Sequence, residues 1–375
     1  MVSSSNLALQ PLNRRTSRSA RTWIDKGKAW LASGRPREAL SLFNQATGAE
    51  ESSAEAWYYK GNCLHELGRS AEAVRCYNRS LEIDPANPLA WNNKGIGLTG
   101  LGRTEDAIRC FDRSLALDPE SLSGWFNKGS CLYVNRRYLD AWSCYDRMTR
   151  LSAGDDQAWI RKGLCSYRLG RYAEAVVANQ EATRLNPDCY EAWLNLGVCH
   201  YALGQFDNAL AACEEALRTN PSDYRAWFNR AACFHMRGLY SEAERSCDRA
   251  LAIAPREGRI WLNKGASLHC RGKYQAAVHC YERALELDTR AAAAWRNRGH
   301  CLIKLQRLEE AIRSYQRVLG INPQDSWTRV VMQAAERGAL RTLGPRSARL
   351  RFSSMNIASE NLLPDTSRGP RQGIA

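Results

Sequence analysis

Residues 54–87 read AEAWYYKGNCLHELGRSAEAVRCYNRSLEIDPAN, and this stretch decides the fold. Its tryptophan belongs to a series that recurs at every thirty-fourth position, with no insertion or deletion, at Trp23, Trp57, Trp91, Trp125, Trp159, Trp193, Trp227, Trp261 and Trp295. We number each repeat from position 1, which is Ala54 here, so that these tryptophans stand at position 4. A fixed period of this length indicates a repeat array.

Each repeat has the pattern of two helices joined by a turn. Apolar or small residues recur at intervals of three or four, a glycine interrupts them, and a second run ends at a proline. The repeat from Pro88 shows this as Trp91, Gly95, Leu98, Gly102, Ala107, Phe111 and Pro119. The pattern predicts helix, turn, helix. One repeat cannot cover its own apolar face, so neighbouring repeats must stack.

The recurring residues resemble the tetratricopeptide repeat. They are Trp57, Gly61, Leu64, Ala73, Tyr77, Ser80 and Pro85, at positions 4, 8, 11, 20, 24, 27 and 32. The resemblance covers about residues 20–323 and implies an all-α fold, a right-handed α-solenoid of nine helix-turn-helix repeats.

Some repeats depart from the family pattern. Ala231 replaces the position-8 glycine, and Ala153 and Thr289 replace the closing proline. Position 24 lacks its aromatic residue at Asn179, Cys213 and Cys247. The same three repeats carry Tyr172, Phe206 and Tyr240 at position 17, and we expect these rings to supply part of the missing volume.

The ends differ from the array. Residues 1–19 form a flexible basic tail in our interpretation, and a transit peptide is the alternative because the segment is rich in Ser and Arg and has no acidic residue. Residues 324–343 are predicted to be a capping helix that shields the last repeat, and residues 344–375 to be a disordered basic tail. No long apolar run near the start indicates a secretory signal or a membrane span.

Net charge is a weak guide to function. The chain carries +14, of which residues 1–20 contribute +3 and residues 337–375 contribute +5, so the array keeps 14 minus 8, or +6. That mild bias favours acidic partners or weak nucleic-acid contact by long-range attraction, without identifying a site.

The 14 cysteines follow the repeat, chiefly at positions 10, 23 and 24, which predicts small apolar fillers and reduced thiols. Adjacent Cys–His pairs such as His300 and Cys301 point about 100° apart on a helix, so none makes a metal face by itself. The chain has no Gly-rich phosphate loop, H-E-x-x-H or G-x-S-x-G motif. We therefore expect no enzyme, no cofactor and no metal.

Function is then expected on the surface that stacking creates. By resemblance, positions 2, 5, 6, 9, 12 and 13 of the first helices line a concave groove. Position 6 forms a row of carboxamides interrupted by one arginine: Asn93, Asn127, Arg161, Asn195, Asn229, Asn263 and Asn297. Carboxamides can pair with the N–H and C=O of an extended peptide, and the row is similar to that of the O-linked N-acetylglucosamine transferase family. A merely solvated polar face is the alternative.

Position 12 adds an aromatic band to the same predicted groove, formed by Tyr133, Tyr167, Tyr201, His235 and His269. Such rings can hold apolar or proline-rich side chains. The carboxylate clamp of chaperone-binding family members is not assembled in repeats two to four, because Tyr58 and Ser123 stand where lysines are required and Asn127 where arginine is.

Basic residues recur at two further positions. Position 7 carries Lys26, Lys60, Lys94, Lys128, Lys162, Arg230, Lys264 and Arg298, and position 26 carries Arg79, Arg113, Arg147, Arg249, Arg283 and Arg317. We expect most of them to lie over apolar surface or to pair with glutamate on the next turn.

These patterns together predict a cytoplasmic scaffold or adaptor that binds a protein segment in the groove, with an organelle as the alternative location. The alternative function is an RNA-binding or acidic-partner adaptor that uses the basic rows and tails.

Overall fold

The computed structural model describes residues 10–336, with side chains from Ser19 onward. All regular secondary structure in this range is helical. The range divides into two compact units, residues 10–169 and residues 170–336, which we call the N-terminal unit and the C-terminal unit.

The N-terminal unit contains nine helices among its described residues. They are α1 Gln10–Ala32, α2 Pro36–Ala49, α3 Ala54–Glu66, α4 Ser70–Ile83, α5 Pro88–Gly100, α6 Thr104–Leu117, α7 Leu122–Val134, α8 Tyr138–Leu151 and α9 Asp156–Arg168. Each helix packs on the next, and α1, α3, α5 and α7 also contact one another in sequence. The first helices of successive repeats therefore form one face of this unit.

The C-terminal unit has ten helices within residues 170–336. They are α10 Tyr172–Leu185, α11 Tyr190–Ala202, α12 Phe206–Thr219, α13 Tyr224–Met236, α14 Tyr240–Ile253, α15 Gly258–Cys270, α16 Tyr274–Leu287, α17 Ala292–Lys304, α18 Leu308–Ile321 and α19 Ser326–Glu336. Contacts among α11, α13, α15 and α17 repeat the arrangement of first helices seen in the other unit.

The tryptophan period has a hydrogen-bonding cause. Each indole from Trp57 to Trp295 donates its N–H to the backbone carbonyl six residues earlier, as Trp91 does to Pro85 at 2.9 Å and Trp159 does to Ala153 at 3.1 Å. The acceptor is a main-chain oxygen, so its side chain is free to vary. This explains how Ala153 and Thr289 replace the usual proline without loss of the bond.

The glycine at position 8 is required by the aromatic ring at position 24. A Cβ atom added to Gly61 would lie 2.5 Å from the Tyr77 ring, closer than real Cβ contacts, and the other repeats with this pair are similar. At Gly197 the added atom would meet Cys213 Sγ at 3.3 Å. The repeat with Ala231 at position 8 correspondingly has Cys247 at position 24.

The turn between the two helices of a repeat uses a left-handed residue at position 15. Seven glycines occupy it with φ between 72° and 76°, as Gly68 does. Arg136 and Gln306 adopt the same region at φ 61°, where a Cβ atom is strained.

The two ends of the described range refine the predicted boundaries. Helix α1 begins at Gln10, inside the segment that we predicted as a tail up to residue 19, with Pro11 in its first turn, where a missing N–H is tolerated. Helix α19 packs Val331 into the same apolar cluster as Leu302 and Tyr315. Residues 1–9 and 337–375, including the predicted C-terminal tail, lie outside the described residues.

The cysteines fill the core as predicted. All are free thiols, and each is buried except Cys270, which is half-buried. Burial raises the pKa of Cys63 and Cys199 to about 12, so these thiols stay protonated at neutral pH.

Candidate functional site

The position-6 residues of the predicted groove lie on the first-helix faces of the two units, and most of them are buried and not exposed to solvent. Asn93, Asn127, Asn229 and Asn263 are buried, with 2–7% of their surface exposed. Arg161, Asn195 and Asn297 are half-buried. The position-6 carboxamides are therefore part of the packing between neighbouring first helices.

In the N-terminal unit these carboxamides bond to one another. Asn93 on α5 donates from Nδ2 to Asn62 Oδ1 at 3.0 Å and to the Tyr58 hydroxyl at 3.2 Å, both on α3. Asn127 on α7 donates to Asn92 Oδ1 at 3.1 Å, and Asn92 donates to Asn93 Oδ1 at 3.2 Å. A continuous hydrogen-bond network thus ties three successive first helices together.

The last repeat of the N-terminal unit breaks the carboxamide row. The Arg161 guanidinium lies 5.8 Å from the centre of the Phe126 ring on the preceding first helix. Arg168 Nε donates to the Tyr133 hydroxyl at 3.0 Å. Cationic groups thus contact aromatic rings across α7 and α9.

In the C-terminal unit Asn229 and Asn263 lack such partners. Asn229 Oδ1 and Asn263 Nδ2 are buried and make no hydrogen bond within the described residues. The residues that would supply one, at positions 5 and 9 of the preceding repeat, are Leu194 and Val198 for Asn229, and Phe228 and Ala232 for Asn263. An apolar side chain cannot replace the hydroxyl and carboxamide groups that Asn93 uses.

The position-12 aromatic residues are held by a second ring on the same repeat. Tyr133 packs edge to face on Tyr138, and Tyr201 on Phe206, with centroids 5.2 and 5.4 Å apart. His235 and His269 pack in the same manner on Tyr240 and Tyr274. Tyr167, the remaining member of the predicted band, is buried.

The position-17 rings have a contact that was not predicted. Phe206 and Tyr240 pack on Tyr201 and His235 at position 12. The sequence already carries this signal, since each aromatic at position 12 in repeats four to eight is followed by one at position 17. That the position-17 rings also supply part of the volume of the missing position-24 aromatics stays a prediction.

Three histidines of the C-terminal unit, His235, His269 and His300, are enclosed by the packing of their repeats. Desolvation lowers the pKa of His235 and His269 to about 4 and that of His300 to about 3, the last also opposed by nearby positive charge. His235 Nδ1 lies 3.1 Å from Ser267 Oγ. Both ring nitrogens of His300 are buried without a hydrogen-bond partner in the described part of the chain, and the ring packs on Trp327.

One cysteine contacts a histidine of the preceding repeat. This pair differs from the Cys–His pairs that are adjacent in the sequence. Cys301 Sγ lies 3.2 Å from His269 Nδ1. Burial raises the pKa of the Cys301 thiol to about 12 and lowers that of His269 to about 4, so the pair is neutral and not a thiolate with an imidazolium. No group of three or more metal-ligating side chains occurs among the described residues.

Most cations of the basic row at position 7 lie over the tryptophan ring of their own repeat, in agreement with the prediction that they cover apolar surface. Most are also paired with a carboxylate, though not with the predicted glutamate. Five of the eight cations contact a carboxylate 16 positions earlier, on the second helix of the preceding repeat, rather than glutamate on the next turn of the same helix. The pairs are Lys128 with Asp112, Lys162 with Asp146, Arg230 with Glu214, Lys264 with Asp248 and Arg298 with Glu282. The paired cations of this row are therefore not free to contact RNA.

No helix in the described part of the chain is both long and apolar enough to cross a membrane.

Comparison with known families agrees with this architecture. Residues 24–88, 167–219, 200–257 and 271–326, together more than half of the chain, match the family model described as tetratricopeptide repeat. Residues 101–182 also match the model described as anaphase-promoting complex, cyclosome, subunit 3. No curated protein gives a significant match.

Several solved structures are similar to this chain at low identity. The APC/C hetero-tetramer Cut9–Hcn1 is 19% identical over 80% of this chain and 58% of that one, with a TM-score of 0.52. YrrB, described as a TPR protein with an unusual peptide-binding site, is 20% identical over 53% of this chain and 99% of its own, at TM-score 0.45. PilF of Pseudomonas aeruginosa is 19% identical over 56% and 96%, at 0.48.

Proposed function

The chain belongs to the tetratricopeptide repeat family, and from that premise we propose that it is a non-enzymatic scaffold that holds an extended protein segment on the first-helix face of its C-terminal unit. Arrays of this family serve in general as protein-interaction scaffolds. The choice of face rests on the contacts of its asparagines.

The unpartnered carboxamide atoms of Asn229 and Asn263 carry this proposal. A buried polar atom without a partner costs roughly 1–3 kcal/mol, so a ligand that supplies the missing partner recovers that free energy. A peptide backbone offers both kinds of group, an N–H for Asn229 Oδ1 and a C=O for Asn263 Nδ2. Both side chains keep a few per cent of their surface exposed, at 7% and 4%.

Aromatic residues on the same helices support the choice. Tyr201, His235 and His269 stand between one and two helical turns beyond the position-6 residues, and a second ring braces each of them. A braced ring loses little conformational freedom when an apolar side chain packs on it. The backbone of the segment would then be held by carboxamides and its side chains by these rings.

The experiment starts from peptides selected on the full chain from a random peptide library. The triple variant N195A/N229A/N263A is expected to bind a selected peptide at least tenfold more weakly while its helicity, measured by circular dichroism, stays unchanged. Asn208→Ala, an exposed asparagine on α12, is the matched control and is expected to bind as the wild type does. Equal affinity of the triple variant would contradict the asparagine proposal.

Backbone recognition has its own test. Replacing single peptide bonds of the selected peptide by esters removes one N–H at a time without changing a side chain. We expect an ester to weaken binding to the wild type and to have little effect on binding to Asn229→Ala. If esters have no effect at any position, the carboxamides do not recognise the peptide backbone.

A further inference from the structure

The N-terminal unit has a second surface with unpaired positive charge, separate from the first-helix face. Five position-7 cations each contact a carboxylate 16 positions earlier, as Lys162 Nζ does with Asp146 at 2.7 Å. At Lys94 the residue at the same distance along the chain is Asn78, a neutral carboxamide of nearly the same shape as aspartate. Lys94 therefore lacks the carboxylate that its counterparts have.

A cavity beside Lys94 and Asn78 has room for a small group such as a side chain of a partner protein. This cavity of about 360 Å³ lies among α4, α5 and α6 and is lined by both Asn78 and Lys94. Lys94 extends over the Trp91 ring, with Nζ 4.9 Å from the ring centre. Asn78 Oδ1 is buried and has no hydrogen-bond partner among the described residues. Because the two ends of an amide are interchangeable in position, this side chain can equally offer an N–H to an anion.

Further cations surround the same cavity. Arg103, Arg109 and Arg113 line it together with one carboxylate, Asp106. Asp106 pairs with Arg103 at 2.6 Å and also with Arg109, so four cations face one anion. Arg113 forms no ion pair within the described residues, which leaves it and Lys94 available to a bound anion.

We propose that this cavity binds a carboxylate side chain from an acidic segment of a partner protein, which completes at Lys94 the ion pair that Asp or Glu supplies within the chain in five other repeats. The occupant is identified by that recurrence, since the same environment of a position-7 cation between two helices already holds a carboxylate at 2.6–2.8 Å in four of those repeats. The neighbouring arginines add attraction for further acidic residues of the segment.

The test restores the missing carboxylate. The full chain is titrated at low ionic strength with fluorescein-labelled hexaglutamate, with labelled hexaglutamine as the uncharged probe. Asn78→Asp places an internal carboxylate beside Lys94 and is expected to weaken hexaglutamate binding at least tenfold. Asp112→Asn is the matched reverse change, since it frees Lys128 in the next repeat, and it is expected to leave binding unchanged or to strengthen it.

A second variant acts on the cation itself. Lys94→Met keeps the aliphatic contact with Trp91 and is expected to weaken hexaglutamate binding as much as Asn78→Asp does. The proposal is overturned if either variant binds hexaglutamate within twofold of the wild type, or if hexaglutamine binds as well as hexaglutamate. It is also overturned if inorganic phosphate, and not hexaglutamate, binds in a manner sensitive to Asn78→Asp, which would assign the cavity to phosphoryl groups.

Discussion

The first-helix faces of the two units carry the same asparagine at position 6 and use it differently. In the N-terminal unit Asn93 and Asn127 bond to side chains of neighbouring helices, whereas in the C-terminal unit Asn229 and Asn263 each have a buried polar atom without a partner in the described part of the chain. The difference comes from positions 5 and 9 of the preceding repeat, which supply Tyr58, Asn62 and Asn92 as partners in the N-terminal unit. In the C-terminal unit both positions are apolar before Asn229 and Asn263. The role of a repeat residue is therefore set by its neighbours and not by its position alone.

We expect the largest difference between the two units in how far acid lowers their stability. The C-terminal unit holds His235, His269 and His300 with folded pKa values of about 4, 4 and 3, against 6.5 in the unfolded chain. A lowered pKa means that the unfolded state binds more protons, so stability is complete above pH 6.5 and is lost as pH falls towards 4. At pH 5 each histidine is expected to cost on the order of 1–2 kcal/mol.

Urea unfolding followed by circular dichroism between pH 7 and pH 4.5 measures this effect. His300→Leu is expected to reduce the dependence of the unfolding midpoint on pH, because it removes a ring that would otherwise take up a proton on unfolding. His279→Leu, at an exposed position on α16, is the control. A His300→Leu variant with the pH dependence of the wild type would contradict the prediction.

Matched alanine pairs test the asparagines directly. N93A/N127A is expected to destabilise the N-terminal unit by roughly 2–4 kcal/mol, because it removes several bonds and leaves Asn62 and Asn92 partly unsatisfied. N229A/N263A removes atoms that have no partner within residues 19–336 and is expected to change stability by about 1 kcal/mol or less. Hydrogen exchange of α3–α7 and α11–α15 in the full chain reports each unit separately. If N93A/N127A and N229A/N263A lower hydrogen-exchange protection equally, the asparagines contribute equally to the stability of the two units.

Substitutions at position 8 are expected to give the smallest difference in stability between the two units. Gly61→Ala forces a methyl group against the Tyr77 ring and is expected to cost about 1–3 kcal/mol. A Cβ atom at Gly197 would meet Cys213 Sγ at 3.3 Å, Ala209 O at 3.4 Å and Ala212 Cβ at 3.5 Å, all looser contacts than at Gly61. Gly197→Ala is therefore expected to be neutral or to stabilise by up to about 1 kcal/mol through helix propensity. Thermal unfolding of the two variants checks the order, and a Gly197→Ala variant less stable than Gly61→Ala would reverse it.

Much of the fold could be predicted from the sequence because each repeat carries the residue pattern of a helix, a turn and a second helix. The tryptophan period, the turn glycines and the position-8 glycine with its aromatic partner all act within one repeat or across one junction, and the structure confirms the all-α fold. The start of α1 at Gln10 was not predicted, because composition alone made residues 1–19 a tail.

The site was harder to predict because its properties depend on pairs of repeats. The row of asparagines was visible, but whether each carboxamide has a partner depends on residues about 31 to 35 positions earlier, such as Asn62 for Asn93. The carboxylate partners of the position-7 cations, which lie on the second helix of the preceding repeat, were also missed. The peptide-binding role of these residues stays a prediction.

The buried thiols have a consequence for measuring this molecule. Cysteines occur in repeats two to nine, and in the folded state nearly all of them are enclosed, several with a pKa raised well beyond neutral pH. A thiol reagent can therefore reach a given cysteine only when its own repeat opens. Following the modification of each cysteine by mass spectrometry would time the opening of individual repeats in the natural chain, with no probe introduced.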